Sequence, residues 1–334
     1  DSVEFVSNNA NGLASYRFDH DALPELSRAD ISLETTLFGK KLSAPILVGA
    51  MTGGTDRAAE VNRRLAIAAE KCGIGMALGS QRKMLASPAA KASYAVREAA
   101  PKLSLLIGNI GAVQFNYGVG LSELKALVDA VGCDAFNFHL NPLQEAIQPE
   151  GDTNFSNLIV KIREYAAKLG VPVLLKEVGS GISETTALKL KELPIAGIET
   201  AGLGGTSWSK IESLRTSDAI QRGTGELFAQ WGLSTAESVV ACHRHLPHLT
   251  LIASGGVRNG IEVAKLLALG AHSAAFALPM LKAAEKSIDD AVLEISRVKE
   301  ELRTAMFLVG AKDIDSLRKT KLTRNFDFTS QAVR

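Results

Sequence analysis

From residue 45 onward, short apolar runs alternate with amphipathic stretches. The runs are Pro45–Ala50, Gly73–Leu78, Leu103–Asn109, Ala135–Leu140, Val171–Val178, Ala196–Ala201, Leu249–Gly255 and Ser273–Leu278. Each is apolar on alternate and intervening positions alike and is bounded by Gly or Pro, which predicts parallel strands buried on both faces. Between them, Asp56–Lys71 repeats Ala59, Leu65, Ala66 and Ala69 among Arg and Glu. Asn154–Leu169 carries Leu158, Ile162, Tyr165, Ala166 and Leu169, and Asn259–Leu269 carries Ile261, Val263, Ala264, Leu267 and Ala268 before Gly270. Those positions share one face of a helix, and Gly270 suits a helix C-terminus. Strand and helix alternating eight times predict an α/β fold, a parallel sheet closed into a TIM (β/α)8 barrel. A doubly wound open sheet is the alternative.

Two stretches depart from the alternation. Residues 1–44 precede the first strand and read as an N-terminal cover, interrupted by Pro24. Residues 203–232 lie between the sixth strand and its helix, where about 2–6 residues are usual. They read as a long active-site loop, a lid or an interface. With no clean linker in the chain, residues 1–334 are expected to form one domain.

Composition narrows the class of partner. Thirty-seven basic against thirty-six acidic residues leave a net charge of +1, with no basic stripe of the kind that binds nucleic acid. No apolar run is long enough for a membrane span. The opening DSVEFVSNN lacks the basic and apolar regions of a secretion signal. Cys72, Cys133 and Cys242 are odd in number and far apart. That argues against disulfides and zinc and for a reducing, cytoplasmic setting, with the thiols packed in the interior.

Barrel enzymes build their sites at strand C-termini, and the polar residues here gather there. Gly255-Gly256-Val257 follows the seventh strand and opens a helix beside Ala277-Leu278 of the eighth. Bare amides at a helix N-terminus in that position form a phosphate cradle. Lys176 lies at the C-terminal end of an apolar strand. A buried lysine is costly unless it meets an anion, and a fixed cation there suits the reduced ring of a flavin. His139, Asn141, Gln144 and Glu145 follow the fourth strand. Glu145 suits a hard cation such as Mg²⁺, with phosphate and water completing the sphere. Gln144 can hold or pass a proton, and Arg82 suits bidentate phosphate contact. Trp208 reads as packing, Ser183 as a helix N-cap, and His243, His245 and His248 as surface or helix-end residues.

Together the blocks HDALPEL, AMTGGT, GSQR, GNIGAVQ, HLNPLQE, KEVGSGIS, AGLGGTSW, ASGGVRNG and LALGA resemble type 2 isopentenyl-diphosphate isomerases, the FMN-dependent family. The likeness runs from about Phe18 to Pro279. HLNPLQE and GGTSW are its specific motifs; GGVRNG alone marks only a phosphate-binding barrel. The resemblance implies a TIM barrel, FMN, Mg²⁺, NADPH as reductant, a homotetramer or homo-octamer, and a place in isoprenoid biosynthesis. It implies FMN against Ala50, Met51, Thr52, Ser80, Asn109, Lys176 and Thr206, with its phosphate at Gly255, Gly256, Val257, Ala277 and Leu278. Substrate diphosphate would meet Arg82, His139, Asn141 and Gln144, with Mg²⁺ on Glu145 and catalytic roles for Gln144 and Lys176. The family's Arg-Lys pair upstream of the HDALPEL block has no counterpart in residues 1–16.

The competing function is an FMN-dependent oxidoreductase of the 2-hydroxy-acid oxidase type. That chemistry wants a His base with an Arg clamp near the last two strands, where only Arg258 stands. An IMP-dehydrogenase-like reaction needs a Cys in the loop after the sixth strand, and residues 203–232 hold none. A non-catalytic barrel would leave Lys176, Gln144 and Glu145 without a role.

Overall fold

The structure is a computed structural model that describes residues 10–324. Eight parallel strands close a barrel: β1 (Ile46–Val48), β2 (Gly75–Ala77), β3 (Leu106–Gly111), β4 (Ala135–Leu140), β5 (Val173–Glu177), β6 (Gly197–Glu199), β7 (Thr250–Ala253) and β8 (Ser273–Phe276). They run in sequence order around the barrel, and β8 returns to β1. Closure leaves no sheet edge. All eight expected strands are present; Ala135–Leu140 keeps its expected bounds, and the others are trimmed at one or both ends or shifted by a few residues.

Local signals explain the helices. Helix Asp56–Cys72 starts where Thr55 accepts from the Ala58 amide and stops at Gly73, whose φ is +63°. Its buried face holds Ala58, Val61, Leu65, Ala66, Ala68 and Ala69. Ser183 caps Glu184–Leu190 by accepting from the Thr186 amide, as its position predicts. The stretch expected to be helical from Asn154 becomes helical only at Leu158, because Asn157 sits at φ +55°. Residues 203–232 are not structureless. They fold into helices Trp208–Arg215 and Ala219–Leu227, capped by Ser207 and Asp218, and a 3₁₀ turn at Phe228–Gln230. A 20-residue helix, Ile288–Phe307, packs across helices Asp56–Cys72, Gly260–Ala268 and Leu278–Lys286 and covers the seam where the last strand meets the first.

The residues ahead of β1 do two jobs. Thr35–Leu37 and Lys40–Leu42 form an antiparallel hairpin. Its two-residue turn, Phe38-Gly39, has φ +49° and +77°, the primed turn that matches strand twist. Leu37 and Leu42 join Leu47, Leu105, Ile107, Ala135 and Leu174 in the barrel interior, so the hairpin plugs the end where strands begin. Earlier in the chain, Tyr16–Phe18 pairs antiparallel with Leu322–Arg324. The missing Arg-Lys pair concerns a segment whose residues 1–9 lie outside the described residues.

Cys133 and Cys242 are buried as expected, and burial pushes both thiols up to about 12. Cys72 is only half-buried. His243 and His245 lie in the last turn of helix Thr235–His245.

Candidate active site

Strand register brings the polar residues to one rim. His139 on β4 pairs with Lys176 on β5, and Lys176 pairs in turn with Glu199 on β6. Side chains alternate along each strand, so these three face the barrel mouth together.

At β3 and β4 an amide fixes an imidazole. Asn109 donates through Nδ2 to the Leu78 carbonyl oxygen at 3.1 Å, so its Oδ1 faces His139 Nδ1 at 3.0 Å. The ring must therefore donate through Nδ1, leaving Nε2 as an acceptor. Desolvation first, then the nearby Lys176 and Arg82 charges, push the His139 imidazolium down to about 3. A neutral Nε2 accepts from a metal-bound water or a protonated phosphate oxygen rather than donating to an anion. This has a consequence for stability. The unfolded ring takes its proton near pH 6.5 and the folded ring only near 3, so the unfolded state binds more protons between them and stability falls as pH drops below 6.5. At pH 5 the loss from His139 is about 2 kcal/mol. Unfolding of His139→Gln between pH 7 and 5 should show a shallower acid loss than the parent. Equal slopes would mean that His139 titrates normally.

Lys176 is buried, at 7% exposure. Its ammonium lies 3.1 Å from Glu199 and donates to the Glu177 carbonyl oxygen at 2.7 Å. The anion that a buried lysine needs is supplied within the protein by Glu199, and the two form a buried ion pair. Next to it, one oxygen of Glu177 accepts from four consecutive amides, Val178 through Gly181, at 2.5–3.2 Å. That carboxylate ties down the loop after β5. Its burial still pushes its pKa up, against the pull of those amides.

After β4 the residues form a chain of contacts. Asn141 donates to Gln144 at 3.2 Å and to Glu145 at 2.9 Å. Glu145, 5% exposed, also accepts from the Asp152 amide at 2.7 Å. Gln144 donates to buried Glu212 at 3.2 Å. Arg82 is held by Asp152 at 3.0 Å, and Gln114 donates to the same carboxylate oxygen at 2.8 Å. Asn141 Oδ1 is buried with no partner. It is an unsatisfied acceptor beside a carboxylate, the donor set of a hard cation and its waters. No cluster of three His, Cys, Asp or Glu stands together among the described residues. A site on Glu145 would therefore be completed by substrate oxygens and water.

The cradle lies across the mouth. Gly255 and Gly256 sit at φ +110° and +70°. A Cβ on Gly256 would fall 2.1 Å from the Gly204 carbonyl oxygen, so the turn tolerates only glycine. The amides of Gly255, Gly256 and Val257 donate to no acceptor among the described residues. Gly256 and Val257 are buried, and buried amides need an acceptor. A phosphate group fits that need. Asn11 is pinned there, donating to the Gly256 carbonyl oxygen and to Glu262, each at 3.0 Å.

The remaining expected residues take lesser positions. Ala50, Met51 and Thr52 are half-buried after β1. Ser80, Thr206 and Ala277 are exposed at strand ends, and Leu278 is half-buried. Trp208 packs with Leu143, Leu203, Phe228 and Trp231 around a small pocket that Gln144, Glu177 and Ser207 also border.

Glu199, Glu212, Asp152 and Asn11 are the residues that sequence reasoning missed. Glu199 carries the same signal as Lys176, a charge inside an apolar strand. Glu212 and Asp152 lie in segments with no strand to place them.

Comparison with known proteins follows the same outline. The family profile of FMN-dependent dehydrogenases matches residues 2–102 and 153–324. A relative from Nostoc sp. named isopentenyl-diphosphate delta-isomerase is 45% identical over 319 residues, 95% of this chain and 90% of its own. One from Rickettsia bellii with the same name is 43% identical over 95% of this chain and 92% of its own. Among solved structures, a mandelate oxidase superposes with a TM-score of 0.68 at 17% identity, covering 96% of this chain and 93% of its own. A Pediococcus acidilactici protein described as a lactate oxidase gives 0.71 at 16%, covering 96% and 86%. Those oxidases share the barrel fold. By sequence, the chain belongs to the FMN-dependent dehydrogenase family and, within it, to the FMN-dependent isopentenyl-diphosphate delta-isomerases.

Proposed function

We propose that this protein converts isopentenyl diphosphate to dimethylallyl diphosphate by a 1,3-proton shift, with reduced FMN, Mg²⁺ on Glu145 and NADPH as the external reductant. One observation carries the reading against the oxidase alternative. The general dehydrogenase profile leaves out residues 103–152, the stretch that holds His139, Asn141, Gln144 and Glu145. An alignment over 319 residues with the isomerases cannot omit it.

When bound, reduced FMN supplies the acid–base group that an unactivated alkene requires. The chain's own residues do the rest. The free amides of Gly255–Val257 and the neighbouring Ala277-Leu278 hold the cofactor phosphate. Ala50, Met51, Thr52, Ser80, Asn109 and Thr206 border the ring, and Lys176 stands as its cation. Arg82 takes the diphosphate directly, His139 and Asn141 reach it through metal-bound water, and Glu145 holds the metal that neutralises it. Gln144, with one amide hydrogen on Glu212, holds or passes a proton beside the substrate. The pocket of Leu143, Trp208 and Phe228 shields the hydrocarbon from water. The small-molecule substrate, a cytoplasmic location and assembly into homotetramers or homo-octamers complete the reading. Within the described residues no helix is long and apolar enough to cross a membrane.

The test is catalytic. Cofactor released by heat should have the mass of FMN. Anaerobically, one equivalent of reductant should support many turnovers with isopentenyl diphosphate and Mg²⁺, and the oxidised protein should be idle. NADPH consumed one for one with product would favour the oxidoreductase instead.

A further inference from the structure

We propose that Glu199 is a positioning residue for Lys176, and that by fixing and neutralising the ammonium it sets how readily the bound cofactor is reduced. The proposal rests on the reading of Lys176 as a flavin neighbour. Three observations support it. The pair is almost sealed from water, with side chains 9% and 3% exposed and 3.1 Å apart. Glu199 is itself anchored, since Ser254 on the adjoining strand end donates to it at 2.8 Å. The same serine hydroxyl accepts from the Ala201 amide, which fixes the serine that holds the carboxylate.

Donor counting gives the geometry a purpose. An ammonium has three donors. Among the described residues, Lys176 uses one on Glu199 and one on the Glu177 carbonyl oxygen. The third is left for an acceptor in the mouth. Two fixed partners hold the lysine to one orientation, a fixed direction for the remaining N–H. Glu177 feels the same ammonium, but it makes no ion pair with it and its carboxylate is held by the amides of the following loop, so its share of the field is the same in every Glu199 variant. His139, the strand partner of Lys176, is neutral. Glu199 is then the one carboxylate on this ammonium among the described residues. With it, the pair presents no net charge to the cofactor; without it, a full positive charge would favour the electron-rich reduced form.

Two substitutions should therefore move the cofactor in opposite directions. Glu199→Gln keeps the shape and leaves the ammonium unneutralised. In an anaerobic redox titration its FMN midpoint should rise. Reduced over oxidised FMN should be favoured about tenfold more than in the parent, about 30 mV for a two-electron couple. Glu199→Asp keeps the charge at greater distance and should fall between the two. Lys176→Met should move the midpoint the other way. If Lys176→Met shifts the potential and Glu199→Gln does not, Glu199 is only structural and the proposal fails. If neither shifts it, the flavin-neighbour reading fails and the proposal falls with it. Should Glu199→Gln not retain FMN, Glu199→Asp decides: a smaller rise supports the proposal, and the parent value overturns it.

Discussion

Lys176→Met is expected to cost about 3–5 kcal/mol of folding stability, because it leaves Glu199 charged, buried and unpaired. Methionine fills much of the space of the lysine stem, so little of the loss comes from a cavity. The partner makes the difference. Glu199 is 2% exposed, and its only remaining donor among the described residues is the Ser254 hydroxyl. Replacing both charges with apolar residues, as in Lys176→Met with Glu199→Leu, should recover most of the loss, since a well-packed apolar pair often equals a buried ion pair. Urea unfolding followed by circular dichroism measures both. A single variant as stable as the parent would mean that water reaches the pair.

Glu145→Gln should weaken Mg²⁺ dependence by roughly 10- to 150-fold, from the loss of a charge-assisted contact worth about 1.5–3 kcal/mol. Both carboxylate oxygens already accept a hydrogen bond, one from Asn141 and one from the Asp152 amide. A glutamine has one acceptor oxygen, so one of those donors would face an NH₂ group instead. The effect should stay local, because the phosphate cradle lies on other strands. Mg²⁺ titration of isomerase activity, with flavin absorbance as the control, separates the outcomes. Loss of flavin with unchanged Mg²⁺ dependence would show that Glu145 does not hold the metal.

The barrel was legible because its strands are nearly continuous apolar runs, a pattern that few folds share. The rim was legible for the same reason: a lysine or histidine ending such a run has few places to go. What the sequence hid was pairing. Nothing in the order of residues says that Lys176 meets Glu199, since their contact follows from strand register around a closed sheet. Asp152 and Glu212 were hidden differently. One lies in a loop and the other on a helix inside a segment that looked structureless, so their approach to Arg82 and Gln144 depends on tertiary packing. Helix Leu158–Lys168 begins with the first residue of its apolar pattern and not at Asn154, because Asn157 takes a left-handed conformation, which periodicity does not report.

The pairing of Tyr16–Phe18 with Leu322–Arg324 carries a consequence for synthesis. The earliest of the described strands waits for the latest one, made some three hundred residues afterwards, before either has a partner. Asn11, five residues ahead of that strand, reaches the glycine turn at the cradle. All eight barrel strands can therefore be synthesised while Tyr16–Phe18 is still untied, and a segment translated after them secures one translated before them. A nascent chain stopped short of Leu322 would have its phosphate-binding residues and its barrel strands, yet lack the clasp that holds Tyr16–Phe18 in place.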